Sequence, residues 1–198
     1  MKAIAIVNNI KSDLSSLPPA LIDIPDSCMI RSGKPFFIPE FDSDFRAYAS
    51  VAVRIERLGK CIAPRFAERY YSHITAAISM RAENTLLALR REGLPWSEAM
   101  VFDRSLILGD FVTKEEFHES GETILVECGE RKLEISLSDL NKDIDEVIAY
   151  VSSNNTLRTG DVILTGLSLE SIPISIETAP CHLHAFIGDK QILSTNIR

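Results

Sequence analysis

The sequence predicts an α+β domain: a folded, mixed β-sheet of β-roll character with short helices at its periphery. Three observations predict it. Residues 45–56 alternate with the two-residue period of a strand. Short apolar runs flank glycine turns at Cys128-Gly129-Glu130 and Gly188-Asp189, the pattern of hairpins. Only one segment, 139–151, carries a full helical stripe. A chain with many strands and few helices buries its apolar faces by folding the sheet over itself.

Met1-Lys2-Ala3-Ile4-Ala5-Ile6-Val7 reads as a first strand that ends at Asn8-Asn9. It is too brief for an export signal and lacks a cleavage site. Pro18, Pro19, Pro25, Pro35 and Pro39 punctuate the first fifty residues, so long regular elements are not expected there. In the 45–56 strand, Ala47, Ala49, Val51, Val53 and Ile55 share one side. Tyr48, Ser50, Ala52 and Arg54 share the other. Pro64 opens a short helix over 64–72, because its fixed φ suits the first helical position. A second helix spans 81–91, with Ala82, Leu86 and Leu89 at helical spacing and Gly93 as its stop. Strands at 123–127 and 131–137 then pair through the first glycine turn. The helix at 139–151 sets Ile144, Val147, Ile148 and Val151 on one face. Residues 156–160 form a loop before the short buried strand Val162-Ile163-Leu164, and the tail from Ile174 is rich in strands.

At 198 residues the chain fits a single domain, 1–198, large enough for a sizeable core. A net charge of −7 argues against nucleic acid or an anionic membrane as partner, but leaves room for a small anionic metabolite in a local basic pocket. No apolar run approaches the roughly 20 residues of a membrane span, so a cytoplasmic location is expected. Cys28, Cys61, Cys128 and Cys181 are far apart and read as reduced, small buried hydrophobes.

A series of motifs runs along the chain in order. They are Phe36-Phe37-Ile38-Pro39, Arg57-Leu58-Gly59-Lys60, Gly93-Leu94-Pro95-Trp96, Phe102-Asp103-x-Ser105, Gly109, and Thr156-Leu157-x-x-Gly160-Asp161-Val162-Ile163-x-Thr165-Gly166. Together they resemble the fumarylacetoacetate hydrolase family from about Ser27 to the C-terminus, most strongly between Pro35 and Asp103. The resemblance implies a β-rich fold and a homodimer. It also implies Mg²⁺- or Mn²⁺-dependent cleavage, isomerisation or decarboxylation of small 2-oxo and enol acids.

At the positions where that family carries its chemistry, this chain differs. The family strand ahead of Arg-x-x-Arg-Leu-Gly-Lys bears Glu-x-Glu; an ungapped count back from Arg54 puts Tyr48 and Ser50 there. The family's third ligand, the first Asp of Asp-x-Thr-x-Arg-Asp-x-Gln, is matched by Ser79 in Ser79-Met80-Arg81-Ala82-Glu83-Asn84-Thr85-Leu86. One family lysine becomes Ile24 and another Met100. An Arg-Asn-Tyr motif becomes Asn8-Asn9-Ile10, with the histidine that follows it falling near Asp13. In Thr165-Gly166-Leu167-Ser168-Leu169-Glu170, Leu167 and Glu170 stand for a hydroxyl and a glycine. Magnesium wants charged oxygen ligands, whereas a tyrosine and two serines are neutral at pH 7. Glu83, the one acid nearby, does not rebuild a three-carboxylate site. The expectation is therefore no metal and no cofactor, no catalytic set, and a ligand pocket at Tyr48, Ser50, Ser79, Arg81, Met100 and Leu167. Arg81 is its candidate anion contact.

Three weaker signals read as structural. His182 and His184 share a strand face but lack further metal ligands, and fit polar alternation on an edge strand. Asp103 and Ser105 suit a local turn. Ser50, Ser79 and His73 lack the sequence context of a nucleophile and its base. Two functional readings follow. The leading one is a catalytically degenerate family member that binds a ligand or protein partner and turns over no acylpyruvate, fumarylacetoacetate or oxaloacetate. The alternative is a hydrolase, isomerase or decarboxylase of a small 2-oxo or enol acid with altered, metal-independent chemistry. The pocket separates them. An enzyme sets at least two convergent polar groups in a concave site, and a degenerate scaffold leaves the site apolar or filled.

Overall fold

Strand propensity and glycine turns give thirteen strands among the described residues, two of them, of 11 and 12 residues, long. A computed structural model describes residues 1–12 and 17–198, Thr178 without its side chain. The strands are β1 (Lys2–Val7), β2 (Ala20–Pro25), β3 (Met29–Arg31), β4 (Phe45–Ile55), β5 (Tyr71–Ala82), β6 (Leu106–Leu108), β7 (Val112–Thr113), β8 (Thr123–Cys128), β9 (Arg131–Ser136), β10 (Val162–Leu164), β11 (Ile172–Ile174), β12 (Cys181–Ile187) and β13 (Lys190–Ile197). The α-helices among the described residues are α1 (Pro64–Ala67), α2 (Glu83–Glu92), α3 (Ser97–Met100), α4 (Lys114–Glu119) and α5 (Ile144–Asn154).

The strands form two sheets. The larger runs β2-β1-β10-β4-β5-β6-β3, with β11 also on β4 and β7 also on β5; the smaller runs β13-β12-β8-β9. Pairs β1/β10 and β3/β6 are parallel and the others antiparallel, so the larger sheet is mixed, as the sequence predicts. Pro25 ends β2, which pairs only with β1; a residue without an N–H is tolerated at such an edge.

The main core lies on one face of β4 and β5. Ala47, Ala49, Val51 and Val53 of β4 join Ile74, Ala76, Ile78 and Met80 of β5, apolar residues of the smaller sheet, and Val147, Ile148 and Val151 of α5. The opposite face carries a second cluster of Ala3, Ala5, Ile24, Ala52, Ala77, Leu106, Leu108, Val162 and Leu164. Phe36 ties a loop to the smaller sheet. Its side chain is fully buried, its N–H donates to the Asn196 carbonyl at 2.8 Å, and its carbonyl accepts from Arg198 N–H at 3.0 Å.

The helices depart from the sequence reading in instructive ways. The 64–72 helix is only α1 followed by a 3₁₀ turn, Glu68–Tyr70, because Tyr71 already belongs to β5. The 139–151 helix starts at Ile144, where Asp143 caps it: the Asp143 carboxylate accepts from Glu146 N–H at 2.8 Å, and Glu146 reaches back to Asp143 N–H. The 81–91 helix starts at Glu83 and stops at Gly93, whose φ of 68° is the left-handed cap that favours glycine. No helix among the described residues is long and apolar enough to cross a membrane.

Candidate functional site

Directly opposed residues of antiparallel strands share a face. The β4–β5 register sets Arg46 opposite Arg81, Tyr48 opposite Ser79, and Ser50 opposite Ala77. Four of the six expected pocket residues, Tyr48, Ser50, Ser79 and Arg81, therefore lie on the sheet face away from the main core. Arg81 was expected at a helix start; it is instead the penultimate residue of β5. That placement lays its side chain along the sheet.

There it meets a partner that the sequence reading had set aside. The Tyr48 hydroxyl donates to Glu83 Oε1 at 2.8 Å, and Arg81 Nε donates to the same oxygen at 2.7 Å. The Arg81 guanidinium carbon sits 3.7 Å from the centroid of the Tyr48 ring, a cation–π contact. Burial pushes the Tyr48 phenol above its ordinary pKa; the hydrogen bond to Glu83 adds to this, while the Arg81 charge opposes it. Tyr48 therefore stays protonated at neutral pH and acts as a donor. Arg81 and Glu83 keep 19% and 24% of their side-chain surface exposed, so a solute reaches them. Glu83 was legible only as a lone acid four positions past Ser79.

The other two former ligand positions are occupied differently. Ser50 is fully buried and its hydroxyl donates to the Val51 carbonyl at 2.9 Å. Ser79 is almost fully buried. One phenol and two aliphatic hydroxyls present no negative charge to a cation, so this donor set does not fit a Mg²⁺ or Mn²⁺ ion. No group of three or more His, Cys, Asp or Glu side chains is arranged for a metal among the described residues.

Met100 and Leu167 belong to an apolar grouping on the same side of the sheet. Met100 clusters with Leu86 and Ala99, against which Ile22, Leu89, Val101 and Leu167 pack. A cavity of about 320 Å³ bounded by Ile22, Pro95, Trp96, Ser97, Met100 and Val101 adjoins it. A second cavity, also of about 320 Å³, opens beside Glu83 and is lined by Asp44, Arg46, Asn84, Leu86, Leu87 and Arg90. Met100 lines the first cavity and Glu83 the second, whereas Tyr48, Arg81 and Leu167 line neither and pack beside them.

Glu83 is held in place from a distance. The first turn of α2 has no side-chain cap at Ala82. Asp42 supplies one instead, accepting from Thr85 N–H at 2.7 Å, Thr85 Oγ1 at 2.8 Å and Asn84 Nδ2 at 2.9 Å. Burial works to raise the Asp42 pKa, but these bonds and one from Asp44 N–H outweigh it and leave the value lowered. A carboxyl with a lowered folded pKa stabilises the fold above its unfolded value of about 3.9, and that contribution fades as pH falls through the folded value. Asp42→Ala is expected to cost about 1 kcal/mol at pH 7. In denaturant titrations the gap to the parent protein should close below about pH 3.9; a gap independent of pH would refute the cap.

The remaining sequence signals are structural. Asn9 is fully buried and clamps the end of β1 to the loop after β10, donating to the Thr165 carbonyl at 2.6 Å and the Lys142 carbonyl at 3.0 Å. Asp13 lies outside the described residues. His182 and His184 stack in parallel with centroids 6.0 Å apart. The expected edge strand is instead an inner one, between β13 and β8, and the histidines occupy its outward face while Leu183 and Ala185 are buried on the other. The turn at 102–105 is made by Ser105, whose N–H donates to the Phe102 carbonyl, rather than by Asp103. His73 pairs with Glu56 at 2.6 Å and lies away from Ser50, which faces Ala77. All four cysteines are free, but Cys61 is exposed rather than buried. The Cys128 and Cys181 sulfurs lie 3.2 Å apart, and burial, with Cys181 adding to it, pushes the Cys128 thiol up to about 12.

Comparison with known proteins agrees with this architecture. The family described as fumarylacetoacetate (FAA) hydrolase, C-terminal, matches residues 7–171. Similar proteins include the mitochondrial oxaloacetate tautomerase FAHD1 of Bos taurus, 27% identical over 150 residues that span 75% of this chain and 68% of that one. The oxaloacetate tautomerase YcgM of Escherichia coli K12 is 25% identical over 163 residues, 80% of this chain and 74% of that one. Among solved structures, the fumarylpyruvate hydrolase of Pseudomonas aeruginosa with Mn²⁺ and pyruvate superposes with a TM-score of 0.86 at 17% identity, covering 100% of this chain and 89% of the other. The 5-carboxymethyl-2-hydroxymuconate delta-isomerase of Mycobacterium smegmatis gives 0.84 at 22% identity, covering 99% and 76%. At those identities the structures speak for the fold.

Proposed function

Because this chain belongs to the fumarylacetoacetate hydrolase family, we propose that it acts on a small 2-oxo or enol acid by proton transfer that needs no metal ion. The relatives named as oxaloacetate tautomerases favour an enzyme over a silent scaffold. Of the reactions in this family, tautomerisation asks least of a metal, because it moves a proton between an oxygen and a carbon without breaking a carbon–carbon bond.

The observation that carries the reading is the 2.8 Å hydrogen bond from Tyr48 to Glu83 beside a cation that keeps 19% of its side-chain surface exposed. Such a pair supplies both partners of general acid–base catalysis. In the direction from enol to ketone, the Glu83 carboxylate takes the enol O–H proton and Tyr48 gives its proton to the other carbon of the enol double bond, the one that does not bear the oxygen. The proton on Glu83 then returns to Tyr48 along their hydrogen bond, and both groups are restored. The raised pKa of Tyr48 keeps it in the donating form. The Mg²⁺ or Mn²⁺ of the family has no charged ligands at Tyr48, Ser50 and Ser79, and no step is assigned to it.

The test is the conversion of enol to keto oxaloacetate, followed by ultraviolet absorbance in EDTA and again with Mg²⁺. Acceleration over buffer in EDTA, unchanged by Mg²⁺, is the expected result. Calorimetry should show no saturable Mg²⁺ heat. Acceleration only with Mg²⁺ would overturn the metal-free reading. No acceleration in either condition would favour the second reading, ligand or partner binding without turnover, which the apolar packing around Met100 and Leu167 supports. On the family premise we also propose a homodimer. Light scattering at micromolar concentration should then give twice the 22.0 kDa of the chain, and a species of 22.0 kDa alone would refute it.

A further inference from the structure

We propose that Arg46 and Arg81 together form an oxyanion receptor that stands in for the divalent ion and holds the carboxylate end of the ligand. This rests on the proton-transfer reading for its meaning, but it is measured separately. The two arginines are directly opposed across β4 and β5. Like charges in that position repel and weaken a sheet. Asp44 and Glu83 offset that repulsion in part, and an anion bound between the two arginines offsets it further.

The internal counterions leave donors free. Arg81 spends only Nε on Glu83, and its terminal N–H groups make no hydrogen bond among the described residues. Its plane is fixed against the Tyr48 ring, so those groups are held in a set direction. Arg46 meets Asp44 through two contacts of 3.4 Å each, long for charged partners and open to exchange with a better acceptor. Arg46, Asp44 and Glu83 line a cavity of about 320 Å³, room enough for a small acid, and Arg81 borders it through its bond to Glu83. The second cation on its wall, Arg90, is stacked over Trp96 at 4.7 Å. Guanidinium forks match carboxylates in two parallel hydrogen bonds, which an ammonium does not. Two such forks favour a ligand with two carboxylates over one with a single carboxylate.

Malonate, which has no enol chemistry here, is the probe. Titration calorimetry in EDTA should show saturable malonate binding that acetate does not match. Arg81→Gln and Arg46→Gln should each weaken it by about tenfold or more. Arg81→Lys should recover part of the loss, because charge returns without the fork. Glu83→Gln removes the competing carboxylate and should leave malonate binding intact or tighter; a merely structural role for the cluster would weaken it. Absent malonate binding, or binding indifferent to both arginine substitutions, would overturn the receptor. If oxaloacetate is still converted in EDTA in that case, only the receptor falls and the proton-transfer reading stands. If malonate binds as expected and oxaloacetate is not converted, the receptor stands and that reading falls.

Discussion

Tyr48→Phe lowers metal-free conversion of enol oxaloacetate by about 10²- to 10⁴-fold, the contribution typical of one positioned acid or base. The substitution removes a single hydroxyl from a ring that is 7% exposed and leaves the cation–π contact with Arg81 in place. Little else should move, so circular dichroism and the melting temperature should remain close to the parent. Glu83→Gln should lose turnover by a similar factor, because an amide accepts the tyrosine hydrogen bond but does not take up a proton at neutral pH. The double variant should be no worse than the poorer single one, as expected of groups that act as a unit. Full activity in either single variant would remove Tyr48 and Glu83 from the chemistry.

Phe36→Ala destabilises the fold by about 3–5 kcal/mol, the usual cost of truncating a fully buried aromatic. For a chain of this length that lowers the melting temperature by about 6–20 °C. Phe36 is fully buried, and its backbone bonds both Asn196 and Arg198, so the cavity opens where the 36–39 loop is stitched to the smaller sheet. The neighbouring Phe37 is 50% exposed and touches Arg104 at 5.4 Å. Phe37→Ala should cost less than about 1 kcal/mol. Equal losses at the two positions in thermal or denaturant unfolding would contradict the packing described.

The fold class was legible because the turn glycines, the alternation in β4 and the ordered motifs agree. The strand β5 was not. Its central residues Ile74–Met80 are buried on both faces, so polar and apolar residues do not alternate, and periodicity fails there. That omission displaced Arg81 onto a helix. Tyr48 and Ser50 were placed on one face by strand alternation, whereas Ser79 came only from the motif match, and the β4–β5 register sets it opposite Tyr48. Glu83 was undervalued for a physical reason. Its partner Tyr48 is 35 residues away in sequence, Asp42 is 43 residues from the Thr85 it caps, and only the pairing of β4 with β5 brings them together.

The division of β4 and β5 into two faces also bears on descent. Positions 47, 49, 51 and 53 and positions 74, 76, 78 and 80 hold the main core, while 46, 48 and 50 and 77, 79 and 81 face the site. Parity along the chain thus separates the main core from the face that carries the site together with the second apolar cluster. A lineage can exchange carboxylates for hydroxyls, or an ion for a guanidinium, one even-numbered position of β4 or one odd-numbered position of β5 at a time. Each such exchange leaves the main-core side chains of both strands untouched, so its cost falls on the second cluster around Ala52 and Ala77 alone while reactivity is rewritten.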